Sequence, residues 1–242
     1  MNSKVFIVAE AGVNHNGSLD LAFKLIDAAV SAGVDAIKFQ TFKAENLVTK
    51  GAKKAKYQIQ ATGLSESQYK MLKNLELKYE VHHELMSYCK EKKIIFLSTA
   101  FDSESLHFLV NNLNLKTLKI SSGEITNAPL LLEYAKTGCN LILSTGMSTL
   151  GEISTALGVI AFGLLNHEDS AVTPSKERFI QAFSSALGQK ILKEKITLLH
   201  CTTEYPAPTN EINLNAMVAM RNIFGLSTGY SDHSDGVVVP IV

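Results

Sequence analysis

Short apolar runs that each end in a polar cluster constrain this chain more than any other feature. In order they read VFIVAEAG, AIKFQTF, IIFLSTAF, TLKISSGE, LILSTGM, ITLLHCTTEY and LSTGYSDH. Continuous apolar runs of this length are the mark of parallel strands covered on their outer face by helices. Segments with helical periodicity lie between them, such as 19–32 and 130–136, and strands alternating with helices give βαβ units and a parallel sheet. The predicted fold is α/β, a TIM-type (β/α) barrel, in which chemistry collects where the strands end. That rim would carry Glu10, Lys38, Gln40, Thr99, Lys119, Ser122, Glu124, Ser144, Tyr205 and His233. Two lysines, two carboxylates and several hydroxyls around one mouth point to an anionic substrate and to proton transfer.

A chain of 242 residues suits a single barrel domain over 1–242. With 23 basic and 23 acidic residues the net charge is zero, so the electrostatic footprint of a nucleic-acid binder is missing. The only arginines are Arg178 and Arg221, and neither lies at a strand end. A phosphate grip must therefore rest on lysine, hydroxyls and backbone amides rather than on arginine forks. Cys89, Cys139 and Cys201 are isolated and form no CxxC pair, the pattern of a reduced cytosolic protein. The amino terminus enters a strand almost at once, which leaves no room for a signal peptide, and no apolar stretch is long enough to span a membrane. The expectation is a cytoplasmic protein with neither nucleic acid nor membrane as partner.

Along the chain, Gly12 to Gly17 reads as a turn rich in residues that tolerate positive φ, with Ser18 as N-cap of the first helix. The lysine-rich stretch 43–65 reads as a long functional loop, followed by helices over 65–76 and 82–92. A polar surface insertion over 166–178 precedes an extra helix at 179–193. Seven strand signals are visible, whereas a closed barrel needs eight. Residues 237–242 read as the start of the helix after the seventh strand, so the barrel is expected to be truncated before its eighth.

Lys38 and Gln40 stand two apart on a strand and project to the same side. A lysine there can hold a phosphate or form a Schiff base with a carbonyl. Lys119 is its counterpart on the fourth strand, and Ser121-Ser122-Gly123 would have to break the pleat to bring Ser122 and Glu124 to its side. Glu10 directly after VFIVA is costly to bury without a partner, and lysines are natural partners. Glu10 and Glu124 are the candidates for acid–base work. Ser144-Thr145-Gly146-Met147 reads as part of a phosphate cradle. His233 suits a metal ligand or an acid–base group. His200, inside ITLLHC, reads as a core histidine, His15 as a turn residue or rim contact, and His82, His83, His107 and His167 as surface.

Taken together, AEAGVNHNG, IKFQTF, FLSTAFD, KISSGE, ILSTGM, HCTTEYPAP and GYSDH resemble, in order, the motifs of the sialic acid synthase family. These are the phosphoenolpyruvate-condensing enzymes that make nonulosonic acids, and the likeness covers essentially the whole chain. The resemblance implies a barrel that condenses phosphoenolpyruvate with an N-acetylated mannose-type sugar to give N-acetylneuraminate or a relative, with release of phosphate. It implies that Lys38, Thr99, Lys119, Ser122, Ser144 and Ser231 take the phosphoenolpyruvate carboxylate and phosphate. Glu10, Glu124, Gln40 and Tyr205 would surround the sugar and the reacting centre. His233 would be one of two histidine ligands to a divalent metal, typically manganese, and the full-length enzyme would be a homodimer.

This chain departs from the family pattern at Thr203, where many members have asparagine, and at Ala100, where many have proline. The second metal histidine, on the eighth strand, and the small antifreeze-like domain find no counterpart in these residues. Residues 1–242 alone are therefore expected to be catalytically incomplete. Three other readings stand beside this one. A relative acting on the diacetamido-sugar of legionaminic acid shares these motifs, and a Schiff-base aldolase would use Lys38 or Lys119. A third is a truncated piece that binds ligand without turning it over.

Overall fold

The computed structural model describes residues 4–54, 59, 67–167, 169 and 171–241. The chain divides into two compact units, Met1–Leu115 and Lys116–Val242.

In the first unit, β1 (Val8–Gly12), β2 (Ala36–Thr41) and β3 (Ile95–Ala100) pair in parallel in sequence order. The helix Leu19–Ser31 joins β1 to β2. Its Ser18 cap accepts a hydrogen bond from the Leu21 amide, and Ala22, Ile26 and Ala29 form one buried stripe. On β2 the buried Ile37, Phe39 and Thr41 alternate with half-buried Lys38 and Gln40. Phe39 stacks on Phe96 at 5.7 Å, and the Thr41 hydroxyl lies 2.9 Å from His82 Nε2 of the helix Tyr79–Glu91. That face of β2 is therefore the helix-covered one, and Lys38 and Gln40 look the other way.

His82 corrects the sequence reading, which put it on the surface. It is fully buried, because His82, Leu85 and Cys89 are the inward stripe of their helix. Its Nδ1–H donates to the Lys78 carbonyl at 3.0 Å, so Nε2 accepts from Thr41, whose oxygen is 2.7 Å from Ser98 Oγ. Burial lowers the His82 pKa to about 4. The boundaries differ as well. Val5, Phe6 and Ile7 precede β1 and are at least half exposed rather than sheet core. The stretch 43–65 opens with the short helix Ala44–Leu47, and the helix expected from Ser65 is seen as Gln68–Leu75, with 60–66 outside the described residues.

In the second unit, β4 (Thr117–Ile120), β5 (Asn140–Ser144), β6 (Ile196–His200) and β7 (Ser227–Tyr230) are again parallel and sequential. The helix Leu150–Leu165 opens with a capping box between Thr149 and Glu152 and packs against the helices Ala128–Lys136 and Lys176–Ser184. Where one extra helix is expected over 179–193, two form, Lys176–Ser184 and Ala186–Lys195. Ser185 divides them, because it is extended and its hydroxyl accepts from the Gly188 amide at 2.9 Å, capping the second helix. A single helical turn, Val238–Ile241, follows β7 as expected.

The described residues thus hold seven parallel strands alternating with helices, an α/β fold. Among them, no helix is long and apolar enough to cross a membrane. Cys89, Cys139 and Cys201 are all buried, and none forms a disulfide among the described residues.

Candidate active site

At the carboxyl ends of β1 to β3, Glu10 is in register with Lys38 and Gln40 with Thr99. Residues opposed in a parallel ladder share a face, so these four side chains leave the sheet on the side away from the helices. Lys38 and Glu10 form an ion pair, with the lysine side chain 12% exposed and the glutamate 54%. The ladder breaks between Glu10 and Gly12, whose φ of +52° belongs to glycine. A Cβ at Gly12 would come within 3.2 Å of Glu10 Oε1, so the bulge also leaves room for that carboxylate. Thr99 is 3% exposed, and its Oγ1 has no hydrogen-bond partner among the described residues.

His15, read as a turn or rim residue, is fully buried and rests 6.2 Å from the Phe39 ring. Its Nδ1 accepts from the Gly17 amide, which leaves Nε2 as the protonated nitrogen, buried and unpartnered among the described residues. Burial lowers its pKa. The alternation that finds Lys38 and Gln40 has no purchase on a turn, so nothing in the sequence pattern placed this ring.

In the second unit β4 stops at Ile120, and Ser122–Glu124 form a 3₁₀ turn begun by the Ser121 cap. The pleat is therefore broken where the sequence reading required it. Lys119 is 7% exposed and donates to the Ile120 carbonyl at 2.8 Å. Glu124 is half-buried and accepts from Asn127 Nδ2 at 2.8 Å, the same asparagine that caps the helix Ala128–Lys136. Ser144 is buried at the end of β5. Two residues on, Gly146 has φ +48°, and a Cβ there would stand 2.6 Å from both Ser122 Cβ and Thr203 Oγ1. Glycine at this position thus lets the loops after β4, β5 and β6 converge.

The loops after β6 and β7 are fastened together. His233 Nδ1–H donates to the Thr202 carbonyl at 2.6 Å, and the Ala207 amide donates to the His233 carbonyl at 2.8 Å. Ser231 is held by its own amide, which donates to the His200 carbonyl. The Tyr205 ring lies 4.3 Å from that of His233, with the phenol oxygen 3.4 Å and Ser231 Oγ 3.5 Å from Nε2. Tyr205 itself is half exposed. His200 is a core histidine as expected, buried and donating to the Ile212 carbonyl.

Sequence reasoning passed over Asp232. One of its oxygens, Oδ1, accepts from the Tyr230 hydroxyl at 3.0 Å, the Ser234 amide at 3.0 Å and the Ser234 hydroxyl at 2.7 Å. Partial burial opposes ionisation, but these hydrogen bonds outweigh it and hold the carboxyl below its usual range.

The histidine geometry bears on a metal. An imidazole that spends its Nδ1–H on a carbonyl keeps a lone pair at Nε2, which is the arrangement of a ligand histidine. His233 fits that role as one ligand. Among the described residues no group of three or more histidines, cysteines and carboxylates could hold an ion alone. A surface cavity of about 450 Å³ lined by Tyr79, His83, Glu104, His107 and neighbours contains none of the site residues.

A family model described as NeuB matches residues 25–242. The chain is 48% identical, over 98% of its length, to an N,N'-diacetyllegionaminic acid synthase of Campylobacter jejuni, and 31% identical, over 97%, to an N-acetylneuraminate-9-phosphate synthase of Drosophila melanogaster. It spans 63% and 55% of those two proteins. An N-acetylneuraminic acid synthetase from Leptospira borgpetersenii, solved with citrate, superimposes with a TM-score of 0.75 at 30% identity, covering 99% of this chain and 69% of that one. With the motifs in order, the strand-end side chains in place and this match over most of its length, the chain belongs to the NeuB family.

Proposed function

We propose that this chain carries the phosphoenolpyruvate-condensing centre of a nonulosonic acid synthase, on the strands of a TIM-type barrel. The enzyme joins phosphoenolpyruvate to an N-acetylated amino sugar of the mannose type and releases phosphate. The observation that carries the reading is the buried Thr99 hydroxyl, without a partner among the described residues, one strand from Gln40 and on the face that bears Lys38. A buried polar group left unpaired is costly, and a substrate oxygen would satisfy it.

Lys38, Lys119, Thr99, Ser122, Ser144 and Ser231 would take the carboxylate and phosphate. Lysines and hydroxyls do this work because no arginine stands at a strand end. A carbon–carbon bond forms between the enol methylene carbon and the aldehyde carbon of the open-chain sugar. Water adds to the neighbouring enol carbon, and the carbon–oxygen bond to phosphate then breaks. Glu10, Gln40 and Tyr205 would hold the sugar, and Glu124, anchored by Asn127, would move a proton at the reacting centre. His233 Nε2 would be one ligand of a divalent metal, manganese by preference. Such an ion, when bound, polarises the aldehyde. We place the enzyme in the cytoplasm, as a homodimer when full length.

The 48% identity to a protein named for diacetyllegionaminate, against 31% to one named for N-acetylneuraminate-9-phosphate, favours a diacetamido-sugar as acceptor. The test is to incubate the full-length protein with phosphoenolpyruvate, Mn²⁺ and either that sugar or N-acetylmannosamine, following phosphate and the acidic sugar by mass spectrometry. A nine-carbon acid from either sugar is expected, more readily from the diacetamido-sugar. No product from either sinks the proposal, and a borohydride-trapped pyruvate adduct on Lys38 or Lys119 would put an imine aldolase in its place.

A further inference from the structure

The turn after β7 holds more hydrogen bonds than a loop of its length needs, and they converge on His233. Its backbone is pinned on both sides, by the Ser231 amide on the His200 carbonyl and by the Ala207 amide on the His233 carbonyl. Its side chain is pinned by the Thr202 carbonyl at 2.6 Å. Between these anchors the Asp232 carboxylate ties the end of β7 to the residues that follow it. Oδ1 accepts three hydrogen bonds, from Tyr230 at the end of β7 and from the amide and hydroxyl of Ser234. Tyr230 is fixed in turn, since it packs against Ala207 and Ile212 and its ring lies 5.9 Å from His200. The turn is thus tied to the sheet end through one carboxylate oxygen.

We infer that Asp232 is a positioning residue that sets the tautomer and aim of the His233 imidazole. If the Oδ1 bonds are lost, Ser234 is released from the turn and the imidazole is no longer forced onto the Thr202 carbonyl. Nδ1 can then give up its proton to Nε2, and the lone pair moves to the buried side. The inference concerns the histidine itself. Its importance for catalysis rests on the proposed role of His233 toward a metal.

The experiment uses the full-length protein with ¹⁵N-labelled histidine, because the nitrogen shifts separate the two tautomers without any metal. The wild type should show His233 protonated at Nδ1. In Asp232→Ala the Nε2–H form should appear, and Mn²⁺ affinity, measured by the resonance of free Mn²⁺, should fall about tenfold or more, the usual effect of losing an outer partner of a ligand histidine. In Asp232→Asn the retained Oδ1 accepts from the same three donors, so the wild-type tautomer should return and affinity should recover to within about threefold. An unchanged tautomer in Asp232→Ala overturns the inference, as does an Asn variant as damaged as the Ala variant. Should Asp232→Ala fail to fold, the Asn variant decides: the Nδ1–H form supports the inference and its loss overturns it. If the wild type binds no Mn²⁺, the metal reading fails while the tautomer comparison still judges Asp232.

Discussion

In the proposed site, Lys38 is the residue on which anion binding would turn most directly. Its ammonium group is nearly buried, paired on one side with Glu10 and placed on the face that carries Thr99. A charge-assisted contact is worth about 1.5–3 kcal/mol, so Lys38→Ala in the full-length enzyme should raise KM for phosphoenolpyruvate about 10- to 150-fold. Steady-state kinetics with an unchanged KM would remove Lys38 from the site. Glu124 differs in kind. It is half-buried and held by Asn127, and in the proposed function its role is to move a proton rather than to grip an anion. Glu124→Gln should slow turnover about 100-fold or more while phosphoenolpyruvate binding stays nearly intact. Weakened binding with normal kcat would mark it as a positioning group.

At the scale of elements, the strands and their polar ends were legible in the sequence because period-two alternation and β-branched runs act locally. Lys38, Gln40 and Thr99 follow from that rule alone. His82 did not, since the two apolar members of its helix stripe, Leu85 and Cys89, say nothing about a polar third until the packed strand presents Thr41. Asp232 was missed for a related reason: its partners are two residues away on either side, and only the folded turn brings them onto one oxygen. The buried His82 carries its own prediction. Its pKa of about 4 lies below the ordinary 6.5, so the unfolded chain binds more protons between those values. Stability should be full above about pH 6.5 and fall as pH drops toward 4, approaching a loss of about 3 kcal/mol. Urea midpoints across that range should show this slope, and His82→Gln should flatten it. Parallel profiles would assign the slope to other groups.

At the scale of the whole molecule, Cys89, Cys139 and Cys201 are all buried. Burial pushes the Cys89 thiol up to about 12, far from the reactive thiolate range. A disulfide reagent at neutral pH should find almost no thiol in the native protein and all three once denaturant is added. Rapid native labelling would show that these segments open well before global unfolding.

The pairing of Lys38 with Glu10 has a consequence for affinity as well as for structure. Before substrate arrives, the lysine already has a resident counterion, and an incoming anion must displace it. Under the proposed function, Glu10 would act as an internal competitor of phosphoenolpyruvate. A half-exposed ion pair of this kind is worth about 0.2–1 kcal/mol, so Glu10→Gln should tighten phosphoenolpyruvate binding about 1.5- to 5-fold even as it impairs turnover. Calorimetric titration of that variant is the check: a weaker dissociation constant would mean that the carboxylate helps the anion in, and an opposite sign for affinity and rate would mean that it guards the lysine until the anion comes.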